Sequence, residues 1–536
     1  MPILTVSYDE GMRQIPFSPG LSVRELLETA GIRIRSGCRG NGACGLCLIR
    51  IESGAANPAI RSEQLLLSKE QIEGNIRFAC QLMPRDDLSI RIIGITAKSN
   101  WRALIAADLP CLPSQPGSFP IGQSDPNTLG LAVDVGTTHI SLTLWDLVQG
   151  IRVAGRIGYN PQAIYGADVV SRLIAAAESA DNARRIAVAT LDALSEGLKE
   201  MCIDNGLSPE QVTRVTVVGN TAMLILLTES DPQPLLQPSG WTSPINCRLK
   251  NPASWIRALG IHPKSVVEVA LPLAGFVGSD LLAGLLATGL TQCPGSLLID
   301  FGTNSEIALW DGAALWVTSA AGGPAFESSQ VQYGMPAEAG AICHVNRHED
   351  SLDIYYEVIG GGEAKGICGS GLVDLIACLR RSEDLTSIGR FAVSNPTSGF
   401  VIPSAGPALR LSHHDVDMFQ RAKAGIGAGI ATLLAEAKVK AGELNRVCVC
   451  GIFGRNLNIP NAQAIGLLPH IALKRVELCG NTALAGCERL LMVREEASAM
   501  AQLRRQAIIV NLSKAKDFET LFLENLYLQP IKDGAA

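Results

Sequence analysis

The pattern of apolar and polar positions divides the chain into a short first unit and a longer, self-similar remainder. LTVSY and QIPF read as two short strands, and SVRELLETAG reads as a helix. Ser22 can cap that helix, with Glu25 three residues on completing a capping box. LCLIRIE alternates as a strand should, and LSIRII supplies a further strand before residue 95. From Leu131 the pattern changes: LAVDVGTTHISLTLWD is echoed by LLIDFGTNSEIALWD from Leu297, 166 residues on. Each copy is an apolar strand, an Asp-x-Gly-Thr turn and an alternating strand ending in Trp-Asp. Two similar lobes, each opening on a β-hairpin, are therefore expected.

Residues 96–128 separate the first unit from the lobes and carry five prolines among Gly, Ser and Asn, the composition of a semi-extended connector. The expected organisation is an α/β multidomain chain: a first domain over 1–95, a linker over 96–128, one lobe over 129–295 and a second over 296–536. The tail DFETLFLENLYLQP has the Phe/Leu spacing of an amphipathic closing segment.

Composition narrows the function. At 536 residues, 47% hydrophobic and 18% charged, the chain can bury several cores and lacks the signature of disorder. A net charge of −6, with no long Lys/Arg run, argues against nucleic acid as a partner. The longest suggestive apolar stretch, Leu281 to Leu290, is about half of a membrane span. Asp9 and Glu10 stand where a secretory signal would be basic, so a cytoplasmic location is expected. Fifteen cysteines, an odd number, argue against a disulfide framework and turn attention to metal binding.

Four of those cysteines lie in the first unit. Cys38, Cys44 and Cys47 share the glycine-crowded loop SGCRGNGACGLC, and Cys80 stands in IRFACQLMP. Glycines let a loop bend tightly enough to present thiolates and backbone amides to the same object. The spacing resembles the plant-type C-x4-C-x2-C…C pattern with one extra residue in the first gap, as in adrenodoxin-like ferredoxins. A structural zinc site would show two C-x2-4-C pairs, and a [4Fe-4S] site a C-x2-C-x2-C run. A [2Fe-2S] cluster is the expectation. The other eleven cysteines read as small buried hydrophobes.

In the lobes the chemistry sits in the hairpin turns. A Gly lets the backbone approach a phosphate, neighbouring amides and Thr hydroxyls donate to its oxygens, and the Asp can hold hydrated Mg²⁺. Two such turns facing one another would clamp a triphosphate. With these turns the chain resembles the acetate and sugar kinase, heat-shock chaperone and actin superfamily (ASKHA), a duplicated, actin-like, ribonuclease H-like fold. Asp134, Gly136, Thr137 and Thr138 match its first phosphate motif, and Asp300, Gly302, Thr303, Asn304 and Glu306 its second. Further glycine turns follow at Gly219, at Gly322 and Gly323, at Gly369, Ser370 and Gly371, and at Gly451 and Gly454, the last pair matching the turn that approaches adenosine.

A β-grasp ferredoxin joined to an ASKHA domain resembles the reductive activators of corrinoid proteins. NPQAIYGADVVSR, PLAGFVGSD, GGPAFE, YGMPAEAGAI, GICGSGLVD and GIFGRNLNIPNAQAIGLLP agree with that family. The resemblance implies an ATP-hydrolysing enzyme that carries one electron to Co(II), giving Co(I) for methyl transfer. Its partners would be the corrinoid protein of a methyltransferase system and an upstream electron donor, and a homodimer is possible. Plant-type clusters lie near about −400 mV, so a plain hop would be uphill, and ATP-driven lobe closure would bias the cobalt's ligation. Asp134 and Asp300 would organise Mg²⁺ and ATP, with Asp280 and Glu306 as candidates for positioning the attacking water. Ser319 could reach toward the partner's cofactor or simply cap a turn. His344, His348, His413 and His414 lack ligand spacing and read as solvated loop residues. Competing readings are an ATPase activator of another low-potential metalloenzyme and a redox-sensing small-molecule kinase of the same superfamily.

Overall fold

The computed structural model describes residues 1–8, 11–32, 34, 40, 42, 47–67, 69–93, 99–105, 128–166, 168–320, 322, 331–347, 354–392, 399–402, 409–451 and 456–531. Its first unit is a five-stranded sheet, in the order Gly11–Pro16, Ile3–Tyr8, Leu88–Ile92, Leu48–Ser53, Ile76–Phe78. Ile3–Tyr8 runs parallel to Leu88–Ile92 and antiparallel to its hairpin partner, the β-grasp arrangement. Helix Val23–Thr29 buries Val23, Leu26 and Leu27 in the unit's core with Leu4, Phe78 and Ile90. Ser22 caps it through a complete capping box with Glu25, as the sequence indicates.

The remainder holds two six-stranded sheets built to one plan. The first runs Val266–Val269, Val212–Gly219, Leu129–Val135, His139–Asp146, Ile151–Tyr159, Arg102–Ala103. The second runs Val476–Gly480, Arg446–Cys450, Ser296–Phe301, Ser305–Trp310, Leu315–Ala320, Ala507–Ile509. In each, three antiparallel strands form a meander and two later strands add in parallel beside its first member. The plan departs at the outer edge, where Arg102–Ala103 is antiparallel to its neighbour and Ala507–Ile509 parallel.

Helices Ser279–Thr288 and Thr482–Met492 lie together between the sheets. A Cβ at Gly486 would stand 2.0 Å from the Ala283 carbonyl, so only glycine permits this approach. Their apolar faces share one core with Ala132 and Val218 of the first sheet and Leu298, Ala308 and Cys448 of the second. That continuous core ties the lobes along one side. Helix Phe518–Asn525 closes the chain against the long helix His413–Ala437, where Gln420 Nε2 and Lys423 Nζ donate to the Leu526 and Tyr527 carbonyls at 2.7 and 2.9 Å. The amphipathic tail is thus a packed segment.

The connector expected over 96–128 is corrected at its start. Residues 99–105 belong to the first lobe: Arg102 and Ala103 pair with Ile157 and Arg156, and the Trp101 ring lies 2.7 and 2.8 Å from where Cβ atoms at Gly158 and Gly197 would stand. Residues 94–98 and 106–127 lie outside the described residues, as does Cys111. Among the described residues no helix is long and apolar enough to cross a membrane.

Candidate functional site

In the first unit, the pairing of Leu48 with Phe78 brings the chain ends beyond them together, and with them Cys47 and Cys80. Their sulfurs lie 3.4 Å apart, well beyond the about 2.05 Å of a disulfide, a spacing suited to two thiolates on one iron. The Cys80 thiol is drawn down to about 6, chiefly by its hydrogen bond to Cys47, against burial and with help from Gln81, the Gly42 amide and Arg24. Gln81 Nε2 also donates to the Gly40 carbonyl at 2.6 Å, tying Cys80 to the cysteine-bearing loop. Cys38 and Cys44 lie outside the described residues. The two thiols present fit a [2Fe-2S] cluster.

A buried ion pair fixes the end of the strand Ile76–Phe78 that leads to Cys80. Glu63 accepts from Arg77 at 2.9 and 2.7 Å and from the Phe78 amide at 2.8 Å, and Arg77 also donates to the Asn57 and Pro58 carbonyls. Every charge-bearing atom has a partner, the condition under which a buried pair is tolerated. No sequence pattern marks it.

Between the lobes lies a cleft of about 470 Å³, within the range of small-ligand sites. Both hairpin turns open into it, and Thr138 Oγ1 and Thr303 Oγ1 meet across it at 3.3 Å. Gly136 and Thr137 line it from one lobe, Gly302 and Asn304 from the other, with Gly369, Ser370 and Gly451 on further walls. Gly451 has φ +85°, and a Cβ there would meet the Phe301 carbonyl at 2.4 Å. Gly371 packs instead on the Ile342 carbonyl and Gly322 on Ser305, so neither lines the cleft. Gly323 and Gly454 lie outside the described residues.

Three residues that sequence reasoning missed hold the first turn. Asn160 Nδ2 donates to the Gly136 carbonyl and Arg172 Nη1 to the Thr137 carbonyl, at 2.8 and 2.6 Å. Asn481 caps helix Thr482–Met492 and donates Nδ2 to Asp134 Oδ2 at 3.2 Å. A signal existed for the last, since GNTA occurs at both 219–222 and 480–483.

Asp134, Asp280, Asp300 and Glu306 all face this cleft. Burial raises Asp134 to about 7, aided by the charge of Asp280 and opposed by Asn481. Burial raises Asp300 to about 7 as well, followed by Asp280 and Asp134, and lifts Asp280 to about 6 against its backbone hydrogen bonds. Glu306, a buried residue of the site, is pushed well above the carboxylate range by burial, then by Asp280 and Asp300. The groups that shift these four include no Lys or Arg. Crowded carboxylates beside turns with Thr hydroxyls, in a cleft whose described lining holds Arg102 as its one Lys or Arg side chain, fit a hard oxygen-loving ion such as Mg²⁺ carrying phosphates.

Two minor readings change. Ser319 sits on a strand opposite Glu306 and donates to it at 3.3 Å, so it is not a turn cap. His344 is a strand residue bonded to Asp374, and His413 opens a helix with its ring against Phe391. His348 lies outside the described residues, and His414 is exposed.

Comparison with known proteins agrees with this layout. Residues 7–85 match the 2Fe-2S iron-sulfur cluster binding domain, 129–293 the RACo middle region, and 295–534 the C-terminal domain of RACo, the ASKHA domain. The corrinoid activation enzyme RamQ of Eubacterium limosum is 31% identical over 430 residues, covering 76% of this chain and 71% of that one. The [Co(II) methylated amine-specific corrinoid protein] reductase of Methanosarcina barkeri is 26% identical over 432 residues, covering 74% and 76%. A solved structure titled reductive activator for corrinoid, iron-sulfur protein superposes with a TM-score of 0.68 at 27% identity, covering 99% of each chain.

Proposed function

Because the chain belongs to the family of corrinoid activation enzymes, we propose that it performs ATP-dependent reductive activation, passing one electron to the Co(II) of a corrinoid protein to give Co(I). The observation that carries this reading is the union in one chain of a thiolate pair 3.4 Å apart in a ferredoxin fold with a carboxylate-floored cleft between duplicated lobes. Cys38, Cys44, Cys47 and Cys80 would hold the [2Fe-2S] cluster, which when bound supplies single electrons. Asp134 and Asp300 would hold Mg²⁺, and the Gly136–Thr138 and Gly302–Asn304 turns the phosphates of ATP. Gly369, Ser370 and Gly451 would border the rest of the nucleotide. Asp280 and Glu306 would position the attacking water or take its proton.

The energetic logic rests on two lobes joined by a shared core on one side and touching through two threonine hydroxyls on the other. ATP drawn onto both turns favours the closed arrangement over the open one. A corrinoid protein bound preferentially to one arrangement would have its cobalt ligation, and hence its potential, biased by nucleotide state. Mixing the reduced, cluster-loaded protein with a Co(II) corrinoid protein and following the visible spectrum tests this. Co(I) is expected only with Mg-ATP, and its formation regardless of nucleotide would contradict the coupling.

A further inference from the structure

The sequence offers no spacing that unites Cys343, His344 and Glu357. Cys343 and His344 are consecutive on strand Ala341–Arg347, where alternation would send their side chains to opposite faces. A register shift intervenes. Ile342 pairs with Val358 and His344 with Glu357, leaving Cys343 as the extra residue of a β-bulge. Bulges re-aim side chains, and here the Cys343 sulfur, a His344 ring nitrogen and a Glu357 carboxylate oxygen all come within 4.8 Å of one another.

His344 is also held from behind. Its Nδ1 lies 3.1 Å from Asp374 Oδ2, and Asp374, 1% exposed, is itself held by Asn461 Nδ2 at 2.6 Å and by the Val345 amide. A buried carboxylate accepting from Nδ1–H fixes the ring and leaves Nε2 as the basic nitrogen, the arrangement that supports metal-ligating histidines. The ring is 35% exposed, so an ion can reach it. Among the described residues no cation pairs with Glu357.

We propose that Cys343, His344 and Glu357 form a binding site for a borderline divalent cation of the zinc class, distinct from the cluster and from the nucleotide cleft. The ligand set is one thiolate, one imidazole and one carboxylate, so two negative ligands balance a 2+ ion and a fourth position stays open to water. Bonds of about 2.0–2.3 Å place tetrahedral ligand atoms roughly 3.5 Å apart, a closure that rotamer adjustment supplies. On binding, the Cys343 thiol gives up its proton to solvent and no electron moves. The Cys343 carbonyl accepts from Ser370 Oγ at 2.9 Å, and Ser370 lines the cleft, so the site adjoins the nucleotide wall. The other mixed group, Cys448, Glu477 and Cys479, is a poorer candidate because Arg446 already holds Glu477 through two hydrogen bonds of 2.9 and 2.7 Å.

The test uses full-length, cluster-loaded protein, dialysed against a mild chelator and titrated with zinc chloride. One equivalent is expected, and zinc-edge X-ray absorption should show one sulfur near about 2.3 Å with lighter nitrogen and oxygen neighbours near about 2.0 Å. Glu357→Gln, at an exposed position, and Asp374→Asn, acting through the ring, should each weaken zinc about 10–100-fold while iron content is unchanged. Cys343→Ser should remove the sulfur neighbour. Uptake of zinc with no sulfur in its shell, or equal affinity in a Cys343→Ser/His344→Ala double variant, overturns the proposal. Should that double variant fold poorly, unchanged affinity in Glu357→Gln does so instead.

Discussion

The two lobes share a frame and differ in what the frame holds. In the first, Asp134 faces Ser141 across the hairpin, whereas in the second Asp300 faces Glu306. The first turn is steadied from outside its strand by Asn160 and Arg172, and the second is closed in by the Gly451 backbone over the Phe301 carbonyl. Duplication thus builds a symmetric cradle, and a single register position makes it chemically one-sided. A carboxyl opposite only one of the paired aspartates, itself held well above the carboxylate range, is where proton transfer would be placed. At the matching site a neutral serine, Ser141, lines the cleft beside Asp134.

The largest effect should come from removing that asymmetry. Glu306→Gln is expected to lower ATP hydrolysis by about 10²–10⁴-fold, the usual contribution of a positioned acid or base, with nucleotide affinity little changed. Ser141→Ala should leave turnover near that of the parent protein. Steady-state phosphate release with a fluorescent-nucleotide titration separates the two effects. A loss confined to Asp280→Asn would move the role to the helix Ser279–Thr288 and break the comparison.

Next come the differing supports of the turns. Gly451→Ala forces a side chain into a φ of +85° and against the Phe301 carbonyl, a strain of about 1–3 kcal/mol that falls on the second turn. Arg172→Met leaves the Thr137 and Gly166 carbonyls without their donor, about 1–3 kcal/mol on the first. Denaturant melts measure both, and each variant should also bind nucleotide more weakly. Arg172→Met that melts normally and binds nucleotide normally would show that the first turn needs no support from below.

What was legible in the sequence is what chemistry forces into short strings. Four cysteines must be spaced for a cluster, and a phosphate turn needs Asp, Gly and Thr in order, so both duplicated hairpins and the ferredoxin domain could be read directly. Contacts between distant residues were far less readable: Arg172 reaches Thr137 through the packing of separate elements, and only the repeated GNTA string marks Asn481, which reaches Asp134. Trp101 was hidden in a proline-rich connector because its anchoring depends on glycines at 158 and 197 that make room for the ring. Cys343 and His344 were unreadable for another reason: strand alternation predicts opposite faces, and only a bulge overrides it.

The smallest effect tests whether the two aspartates are equivalent. Asp134 and Asp300 are raised to about 7 and Asp280 to about 6, against about 3.9 in the unfolded chain. Between about pH 4 and 7 the folded protein therefore binds more protons than the unfolded one, and stability without Mg²⁺ should fall as pH rises through that window. Lys423, lowered from 10.5 to about 7 by burial, acts above it and with the opposite slope. Mg-nucleotide bound as proposed would replace the protons, so the rise in melting temperature it produces should be greater at pH 8 than at pH 5.5. Asp134→Asn and Asp300→Asn should each flatten the acid-side slope by a similar amount. A slope untouched by one and removed by the other would mean that the cradle's charge belongs to a single lobe.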